Sequence, residues 1–181
     1  MKNSRLISGF ILLSALLTLS TLSIGCKKDD NGDGANGSGY LRAKIDGKTV
    51  EFKFFSSSQN NERSLAVKGN TGDINRGEDN THLQLSILDN ETIKVDTYEL
   101  ESTPTMVITY GTVTHKSDGT SVQANYSATT GSSLSGDAFE VKIKSISKAR
   151  VEGSFAGIVV ATGKKNIVIS EGEFAVDITN K

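Results

Sequence analysis

Tryptophan is absent from this 181-residue chain, and cysteine and proline occur once each. A single cysteine excludes an intramolecular disulfide, so the folded part depends on a hydrophobic core, which a domain of ~150 residues is large enough to bury. Histidine is almost as scarce. His82 and His115 lie far apart, with no H-x-x-x-H or H-x-H spacing and no cysteine near either, which leaves zinc without a ligand set. Neither sign of charge is in excess: 20 Lys and Arg face 21 Asp and Glu, so there is no basic footprint for nucleic acid. Helical patterning is also missing, because after Leu19 no segment sustains apolar residues at i, i+3, i+4 and i+7.

What is present begins with MKNSRLISGFILLSALLTLSTLSIGC, a basic head at Lys2 and Arg5, an apolar core from Phe10 to Leu19 and then small residues. This is the plan of a secretory signal peptide. A lasting membrane span is disfavoured, because Ser14, Thr18, Ser20, Thr21 and Ser23 interrupt a run that needs ~18 or more predominantly apolar residues. Gly25 followed by Cys26 resembles the lipobox of bacterial lipoproteins, with Ser23 where Leu is usual and Leu22 one place earlier, a relaxed form familiar in Bacteroidota. The resemblance implies cleavage between Gly25 and Cys26 and acylation of Cys26, whose thiolate is the nucleophile. Acyl chains at ~0.8 kcal/mol per buried methylene would hold the protein permanently in a membrane. Lys28-Asp29-Asp30 is similar to the export signal that sends Bacteroidota lipoproteins to the outer face of the outer membrane, although Lys27 replaces the usual Gln; the alternative is an ordinary charged tether on the periplasmic face. Residues 26 to 39 are then the lipidated Cys and a tether rich in Gly, Asn and Asp, which cannot offset its ordering entropy. Such a tether sets the domain roughly 20 Å from its anchor.

From Tyr40 to the C-terminus the pattern alternates with period two. YLRAKI (40–45) and KTVEFKF (48–54) flank Asp46-Gly47, a strong hairpin signal. HLQLSIL (82–88) repeats the scheme, and the strands beginning at Met106 and Val122 flank a second hairpin at Asp118-Gly119. AFEVKIKSI (138–146), ARVEGSFAGIVVAT (149–162), KNIVIS (165–170) and GEFAVDI (172–178) complete the run, with a bend expected at Gly153 or Gly157. The expected fold of residues 40–181 is all-β, a single antiparallel β-sandwich or a partly open barrel. Residues 56–64 and 70–81 are expected to be polar loops.

Candidates for chemistry are few. Asp29 to Gly34 opens like a calcium loop, but its twelfth position is Tyr40, which cannot supply the closing carboxylate. The 70–81 loop offers Asp73, Glu78 and Asp79 without a fixed ligand spacing. GSSLSG (131–136) lacks the G-x-S-x-G elbow, and Asp96, Glu99 and Glu101 surround an expected strand without further signal. No cofactor or metal is implied, and the chain reads as a non-enzyme. Tyr110 and Tyr126, in the flanks of the second hairpin, are the candidate ligand contacts, against the alternative that they pack on each other across the strands.

A-K-I-D-G-K-x-V-x-F (43–52), D-T-Y-E-L (96–100), V-x-G-S-F (151–155) and I-S-E-G-E-F-A-V-D-I (169–178), in that order, resemble a family of uncharacterised Bacteroidota outer-membrane lipoproteins. Asp96 stands for the usual Gly and Ser170-Glu171 for the usual Thr-Asn. The resemblance implies a lipid-anchored β-domain and supplies no catalytic residues. The expectation is therefore an envelope lipoprotein that binds an unknown protein or glycan, or serves as an accessory subunit pairing through an exposed sheet edge.

Overall fold

Strands β1 (Tyr40–Ile45) and β2 (Lys48–Glu51) show how the alternating pattern becomes structure. Ile45 pairs with Lys48, so the loop is Asp46-Gly47 alone, and both residues take positive φ, +46° and +81°. This is the type I′ geometry that matches strand twist. Asp46 tolerates it because the backbone of Val168 holds the turn: the Asp46 amide donates to the Val168 carbonyl at 2.8 Å, and Asp46 Oδ1 accepts from the Val168 amide at 2.9 Å.

The computed structural model describes residues 39–59, 61–73, 76–132 and 136–179. The anchor, cleavage and export residues Gly25, Cys26, Lys28, Asp29 and Asp30 lie outside them. The remaining strands are β3 (Phe54–Ser58), β4 (Ser64–Asn70), β5 (Asn80–Leu88), β6 (Thr97–Glu99), β7 (Thr105–His115), β8 (Ser121–Thr129), β9 (Ala138–Ile146), β10 (Arg150–Val159) and β11 (Ile167–Thr179). The domain is all-β, as the pattern requires.

Hydrogen bonding follows one path, β6-β9-β10-β11-β3-β4-β5-β7-β8, with β1 on the other edge of β11 and β2 beyond it. The sheet curls over a single core. At its far end β8 meets the chain just past β10, where the amides and carbonyls of Ser127 and Val160 exchange two bonds of 2.9 Å. One pairing departs from the antiparallel expectation. Ile178 and Thr179 run parallel to Ser57 and Ser58, which joins the two halves of the sheet.

Three differences from the sequence pattern have physical causes. The 48–54 segment is not one strand: the chain breaks at Phe52, whose side chain is 2% exposed and whose amide bonds the Leu41 carbonyl, and crosses to the other half as β3. Residues 56–58 belong to that strand rather than to a loop, because Ser57 turns inward and its hydroxyl donates to the Asp177 carbonyl at 2.8 Å. Finally, Glu171-Gly172 does not separate two strands. It is a bulge within β11, with Glu171 at φ +49° and a jump in register from Arg42–Glu173 to Lys44–Ser170.

The expected bends are present at both glycines, as register shifts after Glu152 and between Phe155 and Gly157. The core explains why glycine stands there. Phe139, Phe155 and Phe174 form a row of rings with centroids 6.2 to 6.3 Å apart, and the register sets each ring opposite a glycine: Phe139 with Gly157, Phe155 with Gly172, Phe174 with Gly153. An aromatic ring laid over a glycine covers backbone that would otherwise lack contacts.

Candidate functional surfaces

The structure places Tyr110 and Tyr126 directly opposite each other on β7 and β8, with ring centroids 6.0 Å apart and planes tilted by 44°. Tyr110 is 7% exposed and joins the core, and burial is the main cause that raises its pKa. Tyr126 is half-buried beneath the ammonium of Lys164, 5.6 Å from its ring centre. As a pair they pack on each other, and a ligand reaches at most one edge of Tyr126.

The 70–81 loop spends its polar groups on itself. Asn80, 8% exposed, accepts through Oδ1 from the amides of Thr71 and Gly72, and its Nδ2 donates to Asn70. Glu78 accepts from the Asp73 amide, Arg76 pairs with Asp73 at 3.3 Å, and Asp79 accepts from the His115 amide at 2.7 Å. Three carboxylates thus face three partners and do not converge. Among the described residues no group of three His, Cys, Asp or Glu could hold a metal.

His82 and His115 do not share a site. His82 lies opposite Gly111, with its ring packed over that glycine, whereas His115 is at the far end of β7, its Nδ1 3.6 Å from Asp79. Burial lowers the pKa of His82. Glu99 and Glu140 sit directly opposite on β6 and β9, a like-charge pair, while the Asp96 carboxylate is turned to the Thr97 amide.

Sequence patterning had not marked two surfaces. The first is an open groove of about 610 Å³ on the outer side of β1, β2, β10 and β11. Small Ser154, Ala156 and Gly172 are among its lining residues, as is Glu171 of the bulge. Its walls carry the exposed ion pairs Arg42–Glu173 at 2.8 Å and Lys44–Glu171 at 2.7 Å. The hydrogen bond between Arg42 and Glu173 lowers the carboxylate pKa and raises that of the guanidinium. Exposed pairs of this kind add little to stability.

The second is an edge. The described sheet has free edges at β2, β6 and β8. Lys48 and Glu51 guard β2, and β6 is only three residues long. β8 is different: SVQANYSAT contains no charge and no proline, and Ser121, Val122, Gln123 and Asn125 are exposed. Ser127 uses its outward amide and carbonyl on Val160, so by strand alternation Ser121, Gln123 and Asn125 also point theirs outward. None of these three residues has a backbone partner on that side among the described residues. Native edges are normally blunted by charge, proline or a bulge, and this one is not. A signal for it was available in the uncharged run from Thr120 to Gly136 after Asp118-Gly119, but sequence alone does not show which strands end up at an edge.

No family model, curated protein or solved structure matches the chain.

Proposed function

We propose that this chain is a lipoprotein of the bacterial outer membrane, of the Bacteroidota type its motifs resemble. It is held by acyl chains on Cys26 after cleavage at Gly25 and turned to the cell surface by Lys28-Asp29-Asp30. Its β-domain is an interaction module that binds another polypeptide by strand addition and performs no catalysis. The observation that carries the binding half of this reading is the bare edge of β8, three residues whose outward backbone donors and acceptors have no backbone partner among the described residues and no guarding charge. A glycan platform has less support, because Tyr110 is buried in the core. The anchoring half rests on the signal peptide and lipobox of residues 1–26.

Two measurements test the anchor and its address. A fatty-acid probe should label the wild type and not Cys26→Ala, and equal labelling of both would end the lipidation reading. Protease added to intact cells should digest the domain, whereas digestion only after lysis would place it on the periplasmic face. For the edge, a photo-crosslinking residue at Gln123 in native membranes should form a protein adduct, and one at Thr49 on the guarded β2 edge should not. Absence of any adduct at Gln123 would remove strand addition.

A further inference from the structure

The bare edge of β8 has a length and a polarity that constrain what can occupy it. The Lys116–Thr120 turn closes one end, and the Ser127–Val160 bridge closes the other. Between them lie Ser121 to Asn125, with outward backbone groups at alternate residues. We propose that the occupant is a second copy of this chain, its β8 laid antiparallel on the first about a two-fold axis through Gln123. This rests on the reading of β8 as a docking edge.

Three features of the strand favour a copy of itself. The first is register. In an antiparallel pair, residues that face each other with outward groups exchange both bonds. Setting Gln123 opposite Gln123 brings Ser121 opposite Asn125 of the other copy, so every outward group of the three residues is satisfied. A shift of two residues in either direction leaves one residue of each copy unpaired.

The second is charge. The strand is neutral, so two copies meet without repulsion along its length. At one flank the Lys116–Thr120 turn carries both Lys116 and Asp118, whereas at the other Lys164 and Lys165 lie beyond Val160, with the Lys164 ammonium over Tyr126. Antiparallel two-fold pairing brings the turn of each copy, with its Asp118, toward the lysine turn of its neighbour. Parallel pairing would instead set Asp118 beside Asp118 and Lys116 beside Lys116.

The third is the side-chain row on the core side of the strand. Val122 is 49% exposed, an isolated large apolar residue on an otherwise polar tip. In the two-fold register it lies opposite Ala124 of the other copy, which covers apolar surface on both. A short strand pairing buries less than the ~1,000 Å² expected of a stable complex in free solution. Two copies tethered to one membrane surface meet at a far higher effective concentration, so a contact of this size suffices there.

The test uses the full chain in its own membrane. Residues facing each other as a bonded antiparallel pair have Cα atoms ~5.5 Å apart, within disulfide range. Gln123→Cys should therefore give an oxidised band at twice the monomer mass, absent from the wild type and from Thr49→Cys. The side chain of Gln123 is exposed and its backbone bonds point away from β7, so the substitution leaves the β7–β8 ladder intact. Photo-crosslinking at Thr120, just outside the free strand, should likewise give a doubled mass in the wild-type background. That adduct should be lost with Gln123→Lys and with Gln123→Glu expressed singly, and regained when the two variants are expressed together, because like charges then give way to opposite ones across the axis. An adduct to a protein of another mass at Gln123 would overturn the second copy while strand addition stands. No adduct of any kind would overturn both. A doubled band that persists undiminished in Gln123→Lys alone would refute the two-fold register.

Discussion

Adding one methyl group at Gly153 should destabilise the domain more than most core truncations of similar size. A Cβ built there would sit 2.4 Å from the Lys142 carbonyl oxygen on β9 and 2.5 Å from Cζ of Phe174 on β11. The ring could turn aside, but the carbonyl belongs to the β9–β10 ladder and cannot move without lengthening its bonds. Overpacking of this kind costs ~1 to 3 kcal/mol, and the fixed backbone contact argues for the upper half. Against it, replacing glycine in a strand reduces the freedom of the unfolded chain, worth ~0.4 to 1 kcal/mol. The clash therefore wins, with a net loss of ~1.5 to 2 kcal/mol for Gly153→Ala. At roughly 4 °C per kcal/mol for a domain of this size, the melting temperature should fall by about 6 to 8 °C. With no tryptophan in the chain, far-ultraviolet circular dichroism is the suitable probe. The double variant Gly153→Ala, Phe174→Leu separates the two contacts: part of the clash is relieved, so its loss should be smaller than the sum of the single losses. A Gly153→Ala protein melting within a degree of the wild type would refute the account of why glycine faces each ring.

Tyr98, 5% exposed, ties the segment before β6 to the core, because its hydroxyl accepts from the Lys94 amide at 2.9 Å. Tyr98→Phe leaves that amide unpaired, and the urea midpoint should fall by an amount equal to ~1 to 3 kcal/mol; an unchanged midpoint would show that water replaces the bond. Asp46→Ala loses the bond to the Val168 amide and puts a Cβ without a local acceptor at φ +46°, so equilibrium unfolding should register a loss of ~1 to 2 kcal/mol. Asp46→Asn keeps both features and should lie within about 0.5 kcal/mol of the wild type; equal losses for the two variants would discount the turn. His82 has its pKa lowered by burial from the ordinary 6.5, so the unfolded chain takes up a proton at a higher pH than the folded one. Its contribution is complete above pH 6.5 and is lost as pH falls through the folded pKa. His82→Gln should accordingly flatten the fall in stability below pH 6.5, and an unaltered pH profile would show that the ring is hydrated in the fold.

The alternating stretches were legible because each buries one side only. Leu41, Ala43 and Ile45, or Leu83, Leu85 and Ile87, turn every second residue to the core. The Asp46-Gly47 turn was equally legible, since two positive φ angles in succession leave few residue choices. β4 is less legible as a strand because serines and asparagines flank it, and only Leu65, Val67 and the side-chain-less Gly69 are buried in it. Ser57 reads as a loop residue for the same reason. Its place in a strand depends on a carbonyl of Asp177, 120 residues away, accepting its hydroxyl proton.

The candidate surfaces divide along the same line. Tyr110 and Tyr126 were visible as neighbours across a hairpin, yet whether the pair faced solvent or core depended on which side of the curled sheet closed over Tyr110. The charged groove needs β1, β10 and β11 side by side, an arrangement created by contacts between the two ends of the chain.

By itself the sequence determined an all-β domain, its first and second hairpins and its bend glycines, because these are local properties of turn chemistry and alternation. The tertiary structure alone decided which strand stands at an edge. That outcome follows from long-range pairing: β11 takes β10 and β1 along its length and β3 at its end, and the sheet curls until Val160 bonds Ser127 but leaves Ser121, Gln123 and Asn125 without an outward backbone partner among the described residues.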